Sequence, residues 1–458
     1  MSADWPIKTL QDVCEKITDG AHNSPKSVGV GKPMTSVKDL TSFGVELKEA
    51  RHISIDDFDK LVKQGCQPMV GDVLIAKDGN SALDTVCNVR KPLDAVLLSS
   101  VAILRPDPQK IDSDFLKYYF TSQDTINYLK SNFISGAAIP RVVLKDFKKA
   151  QIKLPPLEVQ KNISVVLSSL DNKIELNRQI NQTLEEMAQA IFKSWFVDFE
   201  PVKAKIEARK NGRDPERAAM SAISGKSDAE LNQLPANQLS QLATTAALFP
   251  DDLVESELGI IPKGWKVSNI GEEFNLTMGQ SPPGNTYNEN KSGISFFQGR
   301  RDFGWRYPVN RVYCTAPKRF AKSGDTLLSV RAPVGDINKA TTDCCIGRGL
   351  AAIRHKTNCE AYTYYAIKRL DQHFNNFDNE GTVFGSINQK DLKAITIIKP
   401  DDKVLRPFSK ITSTLDRKIL NLEKQTSTLT QLRDTLLPKL LSGEISVNRA
   451  KAKIEAAV

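Results

Sequence analysis

The stretch LPPLEVQKNISVVLSSLDNKIELNRQINQTLEEMAQAIFKSWF, Leu154 to Phe196, decides how the rest of the chain is read. Within it Ile163, Leu167, Leu170, Ile174, Asn177, Asn181, Leu184, Ala188, Ile191 and Trp195 follow one another at alternating steps of four and three. A narrow stripe with a period near ~3.5 residues belongs to a helix that packs lengthwise along another helix. One such stripe by itself is better explained as an amphipathic helix lying on its own domain's core. A second stripe reverses that preference.

The second stripe runs Leu415, Ile419, Leu422, Thr426, Leu429, Arg433, Leu436 and Leu440. Setting LDNKI at Leu170 on LDRKI at Leu415 places Asp171 on Asp416, a shift of 245 residues. The same shift pairs Gly136 with Gly381, Lys145-Asp146-Phe147 with Lys390-Asp391-Leu392, and Pro155 with Pro400. Further upstream Gly71-Asp72 answers Gly324-Asp325 at 253, Ser24-Pro25 answers Ser281-Pro282 at 257, and Trp5 and Leu10 answer Trp265 and Ile270 at 260. A slow drift in the shift is what loops of unequal length produce on a repeated scaffold. The chain reads as a tandem duplication of one unit, a mixed domain followed by a long helix.

The 458 residues, 40% of them hydrophobic, suffice for two ordinary cores with helical connections. No window approaches the ~18 continuous apolar residues of a membrane span. The start, MSADWPIKTL, lacks the regions of a signal peptide, so a cytoplasmic protein is expected. Seven cysteines without a CxxC pair predict reduced thiols. The net charge of +9 is uneven: +1 over residues 1–149, −4 over 150–262, +6 over 263–385 and +6 over 386–458. Duplex DNA rewards local basic patches, so only the second half carries an electrostatic signal for it.

Val73 to Ala76 and Ala95 to Leu104 read as strands, and Asp114 to Leu129 as a helix with Asp114 near its N-cap. The segment Glu200 to Pro262 is polar and poor in aromatics, and reads as a connector with one or two short helices. The second long helix is expected from Lys403, with Pro438 kinking or ending it and a frayed tail beyond. The expected division is a mixed domain at 1–153, a central helix at 154–199, a connector at 200–262, a second mixed domain at 263–402, a distal helix at 403–445 and a tail at 446–458. The fold class is α+β: two tandem mixed α/β domains separated by two long helices that form an antiparallel coiled coil, a pseudo-two-fold internal repeat.

Catalytic chemistry leaves little trace. Ser224-Gly225-Lys226-Ser227 lacks the first glycine of a phosphate loop, because Met220 stands there. No Gly-x-Gly-x-x-Gly follows a strand, and Pro282-Pro283 sits between Ser281 and Gly284 rather than in the tetrapeptide that holds a flipped base. Pro400-Asp401-Asp402-Lys403 is the nearest thing to a nuclease carboxylate set, at a strand-to-helix junction. The four histidines show no ligand spacing. What repeats is a scaffold with divergent polar loops, the arrangement of a two-part reader. Gln280, Asn285, Tyr287, Gln298, Arg300, Arg301, Arg331 and Arg348 in the second domain are of the types that contact bases or phosphates, with Asn23, Lys26, Lys77, Asn80 and Arg141 as their counterparts in the first. Taken singly, each is better explained as a solvated surface residue than as a base contact.

LPPLEVQ at Leu154, LDNKI with MAQAIFKSWFVDFEPVKAK at Met187, SELGIIPKGW at Ser256, TMGQSPPGNTYN at Thr277, PVGDI at Pro333 and LRDTLLPKLLSGEI at Leu432 together resemble the specificity subunits of type I restriction–modification enzymes, across essentially the whole chain. The first domain departs from the pattern, keeping only Trp5-Pro6-Ile7-Lys8 of the SELGIIPKGW entry. The resemblance implies two target-recognition domains, each reading half of a split DNA sequence, on a subunit that does no chemistry itself. It implies as partners double-stranded DNA, two methyltransferase subunits and two restriction/translocase subunits, with S-adenosylmethionine, ATP and Mg on those partners and no cofactor in this chain. Helices of about forty residues span ~60 Å, so helix length and register are expected to set the distance between half-sites. The alternatives at this point are a fused DNA methyltransferase or nuclease with unrecognised motifs, and a coiled-coil scaffold that binds protein only.

Overall fold

Val73–Ala76 is buried on both faces, and such a run of apolar residues forms a central strand. It lies in a four-stranded antiparallel sheet in the order Cys14–Asp19, Val101–Pro106, Val73–Ala76, Val86–Asn88. The computed structural model describes residues 4–80, 82–135, 140–374 and 385–455. Gly136 and Gly381, aligned in the sequence repeat, lie outside them. Two compact units emerge: Met1–Ile180 with Asn421–Val458, and Asn181–Leu420. Each contains one mixed lobe, part of the central helix and part of the distal helix.

The lobe of the second unit repeats that sheet as Phe274–Met278, Leu350–His355, Thr326–Ser329 and Ile337–Lys339. Beside it Ile294–Phe297 runs parallel to Cys344–Ile346, as Lys32–Thr35 runs parallel to Val96–Leu97 in the first lobe. Each lobe closes by pairing its first strand with its last, Ile7–Thr9 with Gln151–Lys153 and Lys266–Asn269 with Thr396–Lys399. The chain passes from that closing strand straight into a long helix. The Gly-Asp turns also match. Gly71 and Gly324 adopt φ of +94° and +86°, a region that favours glycine. Asp72 then takes Arg105 Nε and Nη2 at 2.8 Å each, and Asp325 takes Arg354 Nε at 2.5 Å.

Several expectations need correction. The central helix is Leu157–Phe196 rather than 154–199, because Pro155 and Pro156 precede it and Phe199 has φ +55°. The strand expected from Ala95 to Leu104 is two, Val96–Leu97 and Val101–Pro106, separated by a turn. The helix expected from Asp114 to Leu129 is also two, Ser113–Thr121 and Gln123–Phe133, broken at Ser122, and Asp112 caps the first by accepting from Phe115 N at 2.9 Å. The distal helix, Asp402–Leu441, runs through Pro438. The proline falls in the last turn, where only one ladder bond is forfeited.

The connector is no loose link. Glu200–Lys210, Pro215–Ser224, Asp228–Leu231 and Ala236–Ala246 are helices, followed by a hairpin of Leu253–Ser256 and Gly259–Pro262. Asp214 caps the second of these helices and Ser227 the third. Ala219, Met220, Leu231 and Ala246 form a small core of their own. The tail is not frayed over its described length either. Val447–Glu455 is helical, with Ala450 fully buried and Val447 and Ile454 packed on the core of the first unit. It repeats the start of the connector: VKAKIE at Val202 answers AKAKIE at Ala450, and Val202 and Ile206 pack on the core of the second unit in the same way.

Candidate nucleic-acid interface and helix junctions

The apolar stripe of the central helix meets the distal helix, but it also meets the lobe. Ile163, Leu167, Leu170 and Ile174 share one buried core with Leu429, Leu436 and Leu440 and with Phe115, Phe147 and Ile152 of the first lobe. The seam is therefore one side of a larger interior rather than an isolated coiled coil. At its polar position Asn177 Nδ2 donates to Gln425 Oε1 at 2.9 Å and to Thr426 Oγ1 at 3.4 Å. In the second unit Asn181 and Leu184 are buried, while Ala188, Trp195 and the half-buried Ile191 pack with Phe408 and Leu415. Ile419 is buried and, in the first unit, Leu422 is half-buried.

The aligned aspartates turn out to fasten lobe to helix. Asp171, 4% exposed, accepts from Lys117 Nζ at 2.7 Å, Tyr118 Oη at 2.8 Å and Arg433 Nη1 at 3.0 Å. Burial pushes its pKa up, but Lys117, Arg433 and Tyr118 outweigh that and hold the carboxyl below its ordinary range. Asp416 accepts from Arg306 Nη2 at 2.5 Å and Lys339 Nζ at 3.1 Å. Arg306, 1% exposed, also pairs with Glu185 of the central helix, donates from Nη1 to Tyr365 Oη at 3.0 Å and lies with its guanidinium carbon 4.2 Å from the Tyr364 ring centre. Sequence reading aligned Asp171 with Asp416 but gave them no role, and it missed Lys117 and Arg306. The signal available was an acidic residue kept at the same step of two apolar stripes.

The polar loops converge on one turn in each lobe. In the second lobe Gly279 N–H donates to Leu350 O at 2.9 Å, Gln280 N–H to Ile346 O at 3.0 Å, Gly347 N–H to Phe297 O at 2.8 Å and Val330 N–H to Gly349 O at 2.9 Å. In the first lobe the same four bonds run from Gly20 to Val101, Ala21 to Leu97, Leu98 to Thr35 and Lys77 to Ser100. Gly20 and Gly279 are required by close approach, since a Cβ on either would lie 2.1 Å from a carbonyl oxygen of the turn. The bond pattern equates Arg348 with Ser99 and Arg331 with Asp78.

Gln280, Gln298, Arg331 and Arg348 are thus brought together, and all four are exposed. Asn285 and Arg301 are exposed on neighbouring loops. Arg300 is exposed but ion-paired with Asp336. Tyr287 is a pillar of its loop, its hydroxyl donating to Pro282 O at 2.7 Å and its ring centre 4.7 Å from that of Phe296. In the first lobe Asn23, Lys26 and Asn80 are exposed, and Arg141 pairs with Asp78 at 3.3 Å. Lys77 differs from expectation. It is 5% exposed, and its ammonium lies 3.4 Å from Asp19 and 3.1 Å from Asp78, so it neutralises carboxylates instead of meeting solvent.

Residues 2–186 and 262–431 match the model of the type I restriction modification DNA specificity domain. The chain is 30% identical over 409 residues to the type I restriction enzyme HindI specificity subunit of Haemophilus influenzae, covering 82% of this chain and 86% of that one. It is 24% identical over 473 residues to the MjaIX specificity subunit of Methanocaldococcus jannaschii, covering 97% and 94%. A crystal structure of a type I restriction-modification S subunit from M. genitalium shares the fold with a TM-score of 0.53 at 17% identity, over 95% of this chain and 96% of that one. With two matched lobes, two matched turns and two matched helix junctions, the chain belongs to the family of type I restriction–modification DNA specificity subunits.

Proposed function

We propose that this chain is the sequence-specific DNA-binding subunit of a type I restriction–modification complex, each lobe reading one half of a bipartite target. The observation that carries the reading is the repeated turn. The same four backbone bonds gather loops of different sequence in each lobe, which is how one frame serves two different half-sites. The subunit is non-catalytic. Methyl transfer and cleavage fall to two methyltransferase and two restriction/translocase subunits, which bind S-adenosylmethionine, ATP and Mg. The long helices dock the methyltransferase subunits and set the spacer between half-sites. The complex works in the cytoplasm on chromosomal DNA. No helix among the described residues is long and apolar enough to cross a membrane.

A genome-wide map of methylated adenines, made with and without this subunit, tests the reading. A bipartite motif that disappears with the subunit is expected; methylation that ignores its removal would sink it. Inserting four residues into both long helices should lengthen the spacer, and an unchanged spacer would remove the ruler role.

A further inference from the structure

The two lobes build the same turn and then place different chemistry on it. Arg348 stands at the apex of Ile346–Leu350, between Gly347 and Gly349, where the first lobe has Ser99. Four arginines of this lobe are already committed to carboxylates: Arg300 to Asp336, Arg311 to Asp302 at 2.7 Å, Arg354 to Asp325, and Arg306 to the helix junction. Among the described residues the Arg348 guanidinium has no carboxylate within ion-pair distance, and its side chain is exposed. Its backbone is fixed from both sides, by the bonds to Phe297 and Gln298 and by Arg348 N–H facing Ser281 Oγ at 3.4 Å. A long cationic side chain held at its root and unpaired at its tip is prepared for a ligand, because less ordering remains to be done on binding.

The chemistry of that ligand follows from the comparison between lobes. A phosphate contact serves any duplex-binding lobe alike, whereas a base contact changes with the target. Arg348 is absent from the equivalent point of a lobe with the same frame, and so is Arg331, replaced there by Asp78. A guanidinium aimed at base edges pairs best with O6 and N7 of guanine in the major groove. Resting on the reading of the chain as a specificity subunit, we propose that Arg348 is a specificity-determining residue that reads a guanine in the half-site of the second lobe. The first lobe has no such reader at its turn.

The test uses the full chain assembled with its methyltransferase subunits. The wild-type motif is mapped first, and duplexes are then made with each half-site base pair replaced in turn. Binding is measured for wild type, Arg348→Ala and Arg348→Lys. The expected result is that Arg348→Ala loses roughly tenfold to a hundredfold of discrimination at a single G·C pair of one half-site, with the other half-site read as before. Arg348→Lys should keep the charge and lose part of that discrimination. Uniformly weaker binding with the preference at every position unchanged would mark a phosphate contact and overturn the inference, as would relaxation at an A·T pair. In both of those cases the wild-type bipartite motif stands, so the inference fails alone; a wild-type complex with no bipartite motif would defeat the reading beneath it.

Discussion

The two units solve one problem with different residues. Each must hold a lobe against a pair of helices, and each keeps a buried aspartate at the same step of a helix for the purpose. In the first unit the cations come from the lobe as Lys117 and from the distal helix as Arg433. In the second both come from the lobe, Lys339 and the almost fully buried Arg306, and the latter also spans to Glu185. The duplication has preserved the anion and let the cation move. Charge balance at a buried site constrains the total more tightly than it constrains which element supplies each sign.

Breaking the second junction should have the larger effect. Arg306→Met removes the buried guanidinium that Glu185 and Asp416 share, leaving Lys368 to the one and Lys339 to the other, and about 3–5 kcal/mol should be lost from the second unit. Denaturant unfolding followed by tryptophan emission reads this, because Trp195 and Trp265 lie in that unit's core. Arg433→Met is milder, since Arg433 is 24% exposed and serves one buried carboxylate where the buried Arg306 serves two. About 1–2 kcal/mol is expected there, and a loss equal to that of Arg306→Met would contradict the difference drawn between the junctions.

Acid sharpens the comparison. The Asp171 carboxyl ionises more readily in the folded unit than at its ordinary 3.8, so the stability it contributes is present above that value and fades as pH falls through the lower folded one. Asp171→Asn should flatten the dependence of the first unit's stability on pH as the pH falls below the ordinary carboxyl value of 3.8. A slope unchanged by the substitution would show that other groups carry it. The smallest effect belongs to the surface. Arg300→Ala removes an exposed pair with Asp336 and should change stability by under about 0.5 kcal/mol.

Periodicity made the duplication and both long helices readable, because a stripe that keeps its step over ten positions has few other causes. It could not say that the same stripe also closes the lobe's interior. Two kinds of feature escaped. The buried members of the connector's own small core are only alanine, methionine and leucine, so a polar, aromatic-poor segment looked like a link. The inward turn of Lys77 depends on Asp19, distant in sequence, and the break at Ser122 interrupts a helical spacing that continues across it. The tail helix was recoverable, since AKAKIE repeats VKAKIE, but a match of five residues in six in a lysine- and alanine-rich end carries little weight until its packing is seen. Of the recognition residues, types were legible and placement was not. Gln280, Gln298, Arg331 and Arg348 meet only because one turn accepts or donates four backbone bonds.

The split of the first unit across the chain has a consequence for biosynthesis. Residues 181–420 are contiguous, so that unit can complete its interior as soon as its own residues leave the ribosome. The lobe translated first must instead wait, with Ile163, Leu167 and Leu170 uncovered, for Leu429, Leu436 and the helix from Val447. The earliest part of the protein to be made is among the last to be finished.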